Sequence, residues 1–267
     1  MILAYHRVNP WYKEDALTVL PENFKRQMEY LLGKKFNFVS PEDYFSEDTP
    51  HPIPSPPRVE GFTGEKLNPS PRLQQGYGGQ VPRVEGVRGK TLVTFDDGYA
   101  DNLWHALPVL KKLGIKPVIF LTVNYIGSKD IFKRYKNIER DRFMDWGEVR
   151  EMSAQGVVFG SHSLSHPHLT QIEGNSLRRE VAGSKKEIED RTGREAGIFC
   201  YPYGDFNERV IDAVEKAGYK GAVVTPGMKR KIKTGRYAMP RTGIYGHNGF
   251  TAFRIKIWKN YLTEKYF

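Results

Sequence analysis

The chain has 267 residues, of which 39% are hydrophobic and 13% aromatic, enough for a full core and too much for wholesale disorder. A single cysteine, Cys200, excludes an intramolecular disulfide framework and any cysteine-rich zinc module, and no apolar run approaches the ~18 residues of a membrane span. The net charge of +10 is confined to residues 213–267, where twelve Lys and Arg face only Glu215 and Glu264.

Such a basic end suits an anionic glycan, an anionic membrane surface or simply a solvated face, and the last is the preferred reading. No nucleic-acid-binding motif accompanies it, so nucleic acid is not an expected partner. The opening MILAYHRV has no basic stretch followed by a long apolar one, so the expected location is the cytoplasm, or the cell envelope if a segment precedes it.

In chain order, short apolar runs alternate with helical patterns, the signature of repeated βα units on a parallel sheet. Ile2–Tyr5 is predicted as a strand, and Phe24, Met28, Leu31 and Leu32 then recur at helical spacing. Residues 46–90 break the rhythm. From His51 to Lys90 lie seven prolines and seven glycines, and the pentapeptide at Pro57–Gly61 recurs at Pro82–Gly86. Two short copies make no solenoid, so the segment reads as a flexible insertion without a catalytic role, a substrate-gripping lid being the other reading.

Thr91–Phe95 is the next predicted strand, followed by a helix around Leu103–Leu113 that stops at Gly114, and by a strand at Pro117–Thr122. Trp146–Gln155 is a predicted helix closed by Gly156, and Val157–Phe159 a strand. Leu177–Arg191 is a charged amphipathic helix and Gly197–Cys200 a strand. Asn207 caps a helix running to Ala217, and Ala222–Val224 continues the series. Phe253, Ile257, Tyr261 and Leu262, interleaved with Arg254, Lys256 and Lys259, read as a last helix packing on the domain, with peripheral contact to an anionic membrane as the alternative. The whole of 1–267 is thus expected to be one α/β domain, and chemistry at strand ends favours a barrel over an open sheet.

Two motifs carry that chemistry. Thr94-Phe95-Asp96-Asp97-Gly98 ends a buried strand with adjacent carboxylates that need a cation or proton nearby. Strand alternation lets only one of them continue the inward face, while a turn at Gly98 can swing both to a common point. Ser161-His162-Ser163-Leu164-Ser165-His166 follows another strand, with its histidines four apart, where a helical turn or tight loop puts both imidazoles on one side. One carboxylate and two imidazoles make a donor set with room for water, as in catalytic zinc sites. His168, after Pro167, is expected to point elsewhere.

TFDDG, then SHSLSH with PHLT, then Phe199-Cys200-Tyr201-Pro202-Tyr203-Gly204, in this order after successive strands, resembles the polysaccharide deacetylase family. This is carbohydrate esterase family four, with the nodulation-type chitooligosaccharide deacetylase domain. Ile2-Leu3-Ala4-Tyr5-His6-Arg7-Val8, Leu107-Pro108-Val109-Leu110, Asp145-Trp146 and Met239-Pro240-Arg241 are similar to it as well, over about residues 1–45 and 90–262. The resemblance implies a distorted (β/α) barrel of about seven strands with a divalent metal, most simply zinc, at its C-terminal mouth. It implies that Asp97, His162 and His166 hold the metal and that Asp96 takes a proton from the metal-bound water. Tyr203 would offer its backbone N–H to the developing oxyanion, which Pro202 cannot do.

The chain also departs from the pattern. Where many members carry an arginine two residues before the proline of the third motif, this chain has Cys200, and Arg241 is the natural substitute. Cys200 itself reads as a buried packing residue. The histidine of a late Leu-x-His motif is only approximated by Ile244-Tyr245-Gly246-His247, so His6, ending the first strand, competes with His247 for the acid role. Tyr201, Pro202 and Trp146 are candidate contacts for a sugar ring. The resulting expectation is a metal-dependent hydrolase that removes N-acetyl groups from an N-acetylglucosamine-containing glycan. Cleavage of another C–N or ester bond, as in deformylases or cyclic-amide hydrolases, and non-catalytic binding of a glycan or anionic surface are the alternatives.

Overall fold

A computed structural model describes residues 1–45, 88–128, 141–226 and 235–266. Strand β1 (Ile2–Tyr5) opens the chain, followed by the short β2 (Arg7–Val8) and β3 (Thr18–Val19), helix α1 (Pro21–Gly33), β4 (Phe36–Phe38) and the single-turn α2 (Pro41–Tyr44). Next come β5 (Arg88–Phe95), α3 (Leu107–Lys112), β6 (Val118–Leu121), α4 (Trp146–Ala154) and β7 (Val158–Ser161). The remainder is α5 (Gly174–Arg178), α6 (Ser184–Thr192), β8 (Ile198–Tyr201), α7 (Glu208–Lys216), β9 (Gly221–Val224), β10 (Thr242–Gly243) and α8 (Phe250–Tyr266).

Local chemistry sets the helix ends. Asp145 and Glu148 form a reciprocal capping box on α4, the Asn207 side chain accepts the Val210 N–H at the start of α7, and left-handed Gly193 ends α6. α3 and α6 are each entered through a π-helical turn, at Asn102–Ala106 and Arg179–Gly183.

Seven strands pair in parallel in the order β10-β1-β5-β6-β7-β8-β9, with β4 added beside β5. Met239, just ahead of β10, makes a parallel bridge to Val223 of β9, which brings the far edge back towards β10. The result is the expected distorted (β/α) barrel. Alternation along the strands sorts their side chains into two cores. Leu3, Tyr5, Val93, Phe95, Ile119 and Leu121 face outward into the core shared with α1, α3 and α4. Ile2, Leu92, Phe120, Ile198, Cys200 and Val223 fill the interior. Counting on by two from the interior residues leads to His6, Asp96, His162 and Arg241, all at the ends where the parallel strands point.

Several boundaries differ from the sequence reading. Arg88, Gly89 and Lys90, assigned there to the 46–90 insertion, belong to β5: Arg88 pairs with Phe36 and Lys90 with Asn37. A polar, glycine-containing start hid the strand, and residues 46–87 lie outside the described residues. The helix expected from Leu177 begins at Gly174. α8 buries Phe253 and Ile257 against the domain and leaves Ile255 and Leu262 exposed. No helix among the described residues is long and apolar enough to cross a membrane.

Gly160 occupies an interior position of β7, where an added Cβ would stand 2.7 Å from the Ile198 carbonyl oxygen and from the Phe120 ring. Gly160→Ala is therefore expected to lower stability by about 1–3 kcal/mol through overpacking. The urea midpoint should fall at unchanged slope, while Gly33→Ala, where a Cβ meets nothing within 4 Å, should not lower it.

Candidate metal centre and active site

Asp96 ends the interior face of β5 and is fully buried. Arg241 forks onto it, Nη1 donating to Oδ1 at 2.8 Å and Nη2 to Oδ2 at 2.7 Å. The other donations of this guanidinium go to the Thr94 hydroxyl (2.9 Å), the Val224 carbonyl (3.0 Å) and the Cys200 sulfur (3.0 Å). Five bonds match the five N–H donors of an arginine, so a buried cation sits without an unmet donor. Burial alone would raise the Asp96 pKa. The Arg241 charge and hydrogen bonds outweigh it, with His162 and His6 adding, and hold the carboxyl well below the usual range.

Asp97 is turned away from its neighbour by backbone geometry. Its φ is +73°, and the Gly98 N–H donates across it to the Asp96 carbonyl at 3.0 Å, a tight three-residue turn. The turn leaves Asp97 Oδ1 at 3.8 Å from His162 Nε2 and 3.7 Å from His166 Nε2, and the two nitrogens are 3.2 Å apart. His162 Nδ1 lies 2.8 Å from the Cys200 carbonyl, which can only accept, so Nδ1 carries the proton and Nε2 offers its lone pair to the cluster. Burial first, then repulsion from His166, pulls the His162 pKa down to about 3; burial pulls His166 down to about 4. Both imidazoles are therefore neutral donors at neutral pH.

Two lone-pair nitrogens and a carboxylate oxygen this close fit a small divalent cation with ~2.0–2.2 Å bonds. A second grouping, Asp96 with His162 and Cys200, also lies within ligand spacing. It is a poorer cation site, because Arg241 holds both Asp96 oxygens and burial pushes the Cys200 thiol pKa well up.

The His162–His166 loop depends on partners that the sequence reading missed. Ser163 and His166 adopt φ of +67° and +60°. The Ser161 and Ser163 hydroxyls accept the Ser163 and His166 N–H groups at 3.1 and 3.0 Å. Glu180 accepts both the Leu164 and Ser165 N–H groups at 2.9 Å, pinning the loop from outside. On the other side, fully buried Arg7 joins Asp101 (2.6 Å) and Asp141 (2.8 Å), tying together the segments that follow β1, β5 and β6. Asn102 donates to the His6 carbonyl at 3.0 Å. For Arg7, Ser161 and Ser163 the sequence signal is a polar residue at or just past a strand end, whereas Glu180 and Asp141 stand nineteen and twenty residues beyond β7 and β6 and carry none.

His6 stands beside the acid, its Nε2 3.8 Å from Asp96 Oδ2, with a buried Nδ1 that meets no partner among the described residues. The Tyr203 backbone is at φ +56°, and its ring stacks on His168 at 4.2 Å and meets His166 edge-on at 4.4 Å. His168 is exposed and turned to Asp205, away from the cluster. Pro202 is buried at the start of the Tyr203 turn. Two expected sugar contacts are not brought to the mouth. Tyr201 faces outward from β8 into the helix layer, its hydroxyl donating to the Tyr237 carbonyl at 2.7 Å, because it is out of phase with interior Cys200. Trp146 opens α4, packs on the outer core and lies against the Arg191 guanidinium, 5.5 Å from the ring centre. His247 is exposed and stacks on Tyr245 instead of approaching Asp96.

A family model for polysaccharide deacetylase matches residues 84–222. Among curated proteins, YxkH of Bacillus subtilis is 33% identical over 153 residues, 57% of this chain and 50% of its own length. The peptidoglycan-N-acetylmuramic acid deacetylase PdaA of Bacillus subtilis is 26% identical over 137 residues, 50% of this chain and 46% of its own. The chain spans about half the length of the curated relatives it matches. Among solved structures, the Streptococcus pyogenes deacetylase PplD in complex with acetate superposes with a TM-score of 0.69 at 18% identity, covering 96% of each chain. IcaB from Ammonifex degensii gives 0.65 at 20% identity, over 97% of this chain and 95% of its own. At these identities the structural likeness shows the fold.

The Arg241–Asp96 pair yields a stability test. Arg241→Met leaves a buried carboxylate without its cation and should cost about 3–5 kcal/mol by urea unfolding. Arg241→Lys, a point charge that cannot reproduce the fork, should recover only part of that loss.

Proposed function

Because the chain belongs to the polysaccharide deacetylase family, we propose that it is a metal-dependent hydrolase that removes N-acetyl groups from an N-acetylglucosamine-containing glycan. The observation that carries this reading is the pairing of two neighbouring sites with opposite electrostatics. The neutral, lone-pair donors of His162 and His166 converge with Asp97, and beside them an ionised Asp96 is locked by Arg241.

Asp97, His162 and His166 would hold the cation. When bound, a divalent ion such as zinc polarises the acetamide carbonyl and acidifies a water molecule at neutral pH. Asp96 is the base that receives the proton. Its depressed pKa makes it a weak base, which is adequate only for a water already made acidic. Arg241 keeps both carboxylate oxygens aimed and ionised, so it is a positioning residue. The Tyr203 N–H, on its left-handed turn next to His166, is assigned to the developing oxyanion. His6, within 3.8 Å of Asp96, is assigned to returning a proton to the departing amine.

The test combines elemental analysis with acetate release from N-acetylglucosamine oligomers, before and after chelation. The wild-type protein is expected to carry near-stoichiometric divalent metal and to lose acetate release with the metal. His166→Gln should fail to retain the ion. Asp96→Asn should retain it while turnover falls by roughly 10²–10⁴, and substantial turnover in metal-loaded Asp96→Asn would overturn the role given to Asp96.

A further inference from the structure

Gly243 sits at an interior position of β10. It pairs with Ala4, two residues along β1 from Ile2, which lines the barrel interior. A side chain at 243 would therefore point into the mouth, beside the Arg241–Asp96 fork. That space is filled by another residue. A Cβ added at Gly243 would lie 2.8 Å from the Tyr245 hydroxyl oxygen, 2.9 Å from its Cζ and 2.8 Å from Pro226 Cβ. The chain turns after β10 and folds the phenol of Tyr245 back over the strand into the space that Gly243 leaves.

The ring is held by its faces. His247 stacks parallel to it at 5.8 Å, and Lys256 Nζ stands 4.9 Å from its centre. Neither contact uses the hydroxyl, which meets no acceptor among the described residues. Both Arg241 and Asp96 act electrostatically on the phenol, which places it in the field of the pair, and burial keeps it protonated. β10 lies across the barrel from β7, which delivers the histidines, so the phenol stands on the wall opposite the metal cluster. A wedged, half-buried donor facing the mouth with no acceptor among the described residues is a group available to a ligand.

We infer that Tyr245 is a substrate-binding residue, its O–H donating to a hydroxyl or linkage oxygen of the sugar whose acetamido group lies at the Asp97–His162–His166 cluster. The assignment rests on the deacetylase reading of that cluster. An O–H to a ground-state sugar oxygen contributes to substrate binding more than to the chemical step.

The experiment compares wild type, Tyr245→Phe and Gly243→Ala, each metal-loaded, on N-acetylglucosamine oligomers and on 4-nitrophenyl acetate, which has an acetyl group but no sugar. Tyr245→Phe keeps the ring and its stacking, so metal content and melting temperature should not change. On the oligomers its KM should rise about five- to tenfold at unchanged kcat, the loss of one neutral hydrogen bond. Gly243→Ala, which crowds the phenol against Pro226, should raise KM at least as much. Tyr245→Phe should not differ from wild type on 4-nitrophenyl acetate. A wild-type KM for Tyr245→Phe on the oligomers, or an equal loss on both substrates, would overturn the assignment while leaving the deacetylase reading intact. Absence of acetate release from the oligomers by the metal-loaded wild type would overturn both.

Discussion

The buried ion pair of Arg241 and Asp96 is the constraint on which the mouth of this barrel depends. It joins β10 to β5 across the top of β1, and its hydrogen bonds reach Thr94, Val224 and Cys200, so four strands or their ends are referred to one guanidinium. Removing a charge pair from water is costly unless every donor and acceptor is met. Here the accounting closes on the arginine side, which is why a carboxylate can be fully buried and still ionised. The small sulfur of Cys200 matters to this arrangement: it leaves the barrel interior wide enough for the guanidinium to enter from β10, and it accepts one of its N–H groups.

A second constraint is backbone strain concentrated at the same place. Among the described residues, five that are not glycine have positive φ, and four of them are Asp97, Ser163, His166 and Tyr203. L-residues adopt this conformation at a cost of order 1 kcal/mol or more each. At Asp97 and His166 it turns the side chain out of the regular course of its strand or loop towards a shared point. The Glu180 carboxylate and the Ser161 and Ser163 hydroxyls offset part of that cost by taking up the loop's N–H groups. The cluster is therefore held in shape by its own scaffold.

Much of this was legible in the sequence, and for a definable reason. The strands are buried on both faces and read as short apolar runs; alternation lets only one of Asp96 and Asp97 continue the interior face of β5, and the packing of Leu92 in the interior shows that it is Asp96. Two candidate sugar contacts lie away from the mouth, each for its own reason. Tyr201 is adjacent to the motif proline, but it is one residue out of phase with Cys200 and so belongs to the outer layer. Trp146 starts a helix, and its ring is committed to helix packing. What could not be read was anything carried by long-range side-chain geometry, such as the Glu180 clamp or the burial of Arg7 between Asp101 and Asp141. The start of β5 at Arg88 was hidden for a different reason. Its polar residues gain strand character only by pairing with β4, a partner some fifty residues away in the chain.

The electrostatic division within the mouth follows from these placements without any residue being unusual in itself. His162 and His166 are neutral because burial opposes a positive charge on either, with repulsion from His166 adding at His162 and from His168 at His166. Asp96 is charged because the Arg241 guanidinium is bonded to it directly. Burial thus keeps the imidazoles unprotonated, while the arginine keeps the neighbouring carboxylate ionised. Arg241 reaches Asp96 from the β10 side of the interior, and the continuation of that strand carries Gly243 and Tyr245 on the wall facing the histidines. Arg241, Gly243 and Tyr245 thus follow one another on a single strand and its turn, so the guanidinium that fixes Asp96 and the phenol beside it are placed by the same short piece of backbone.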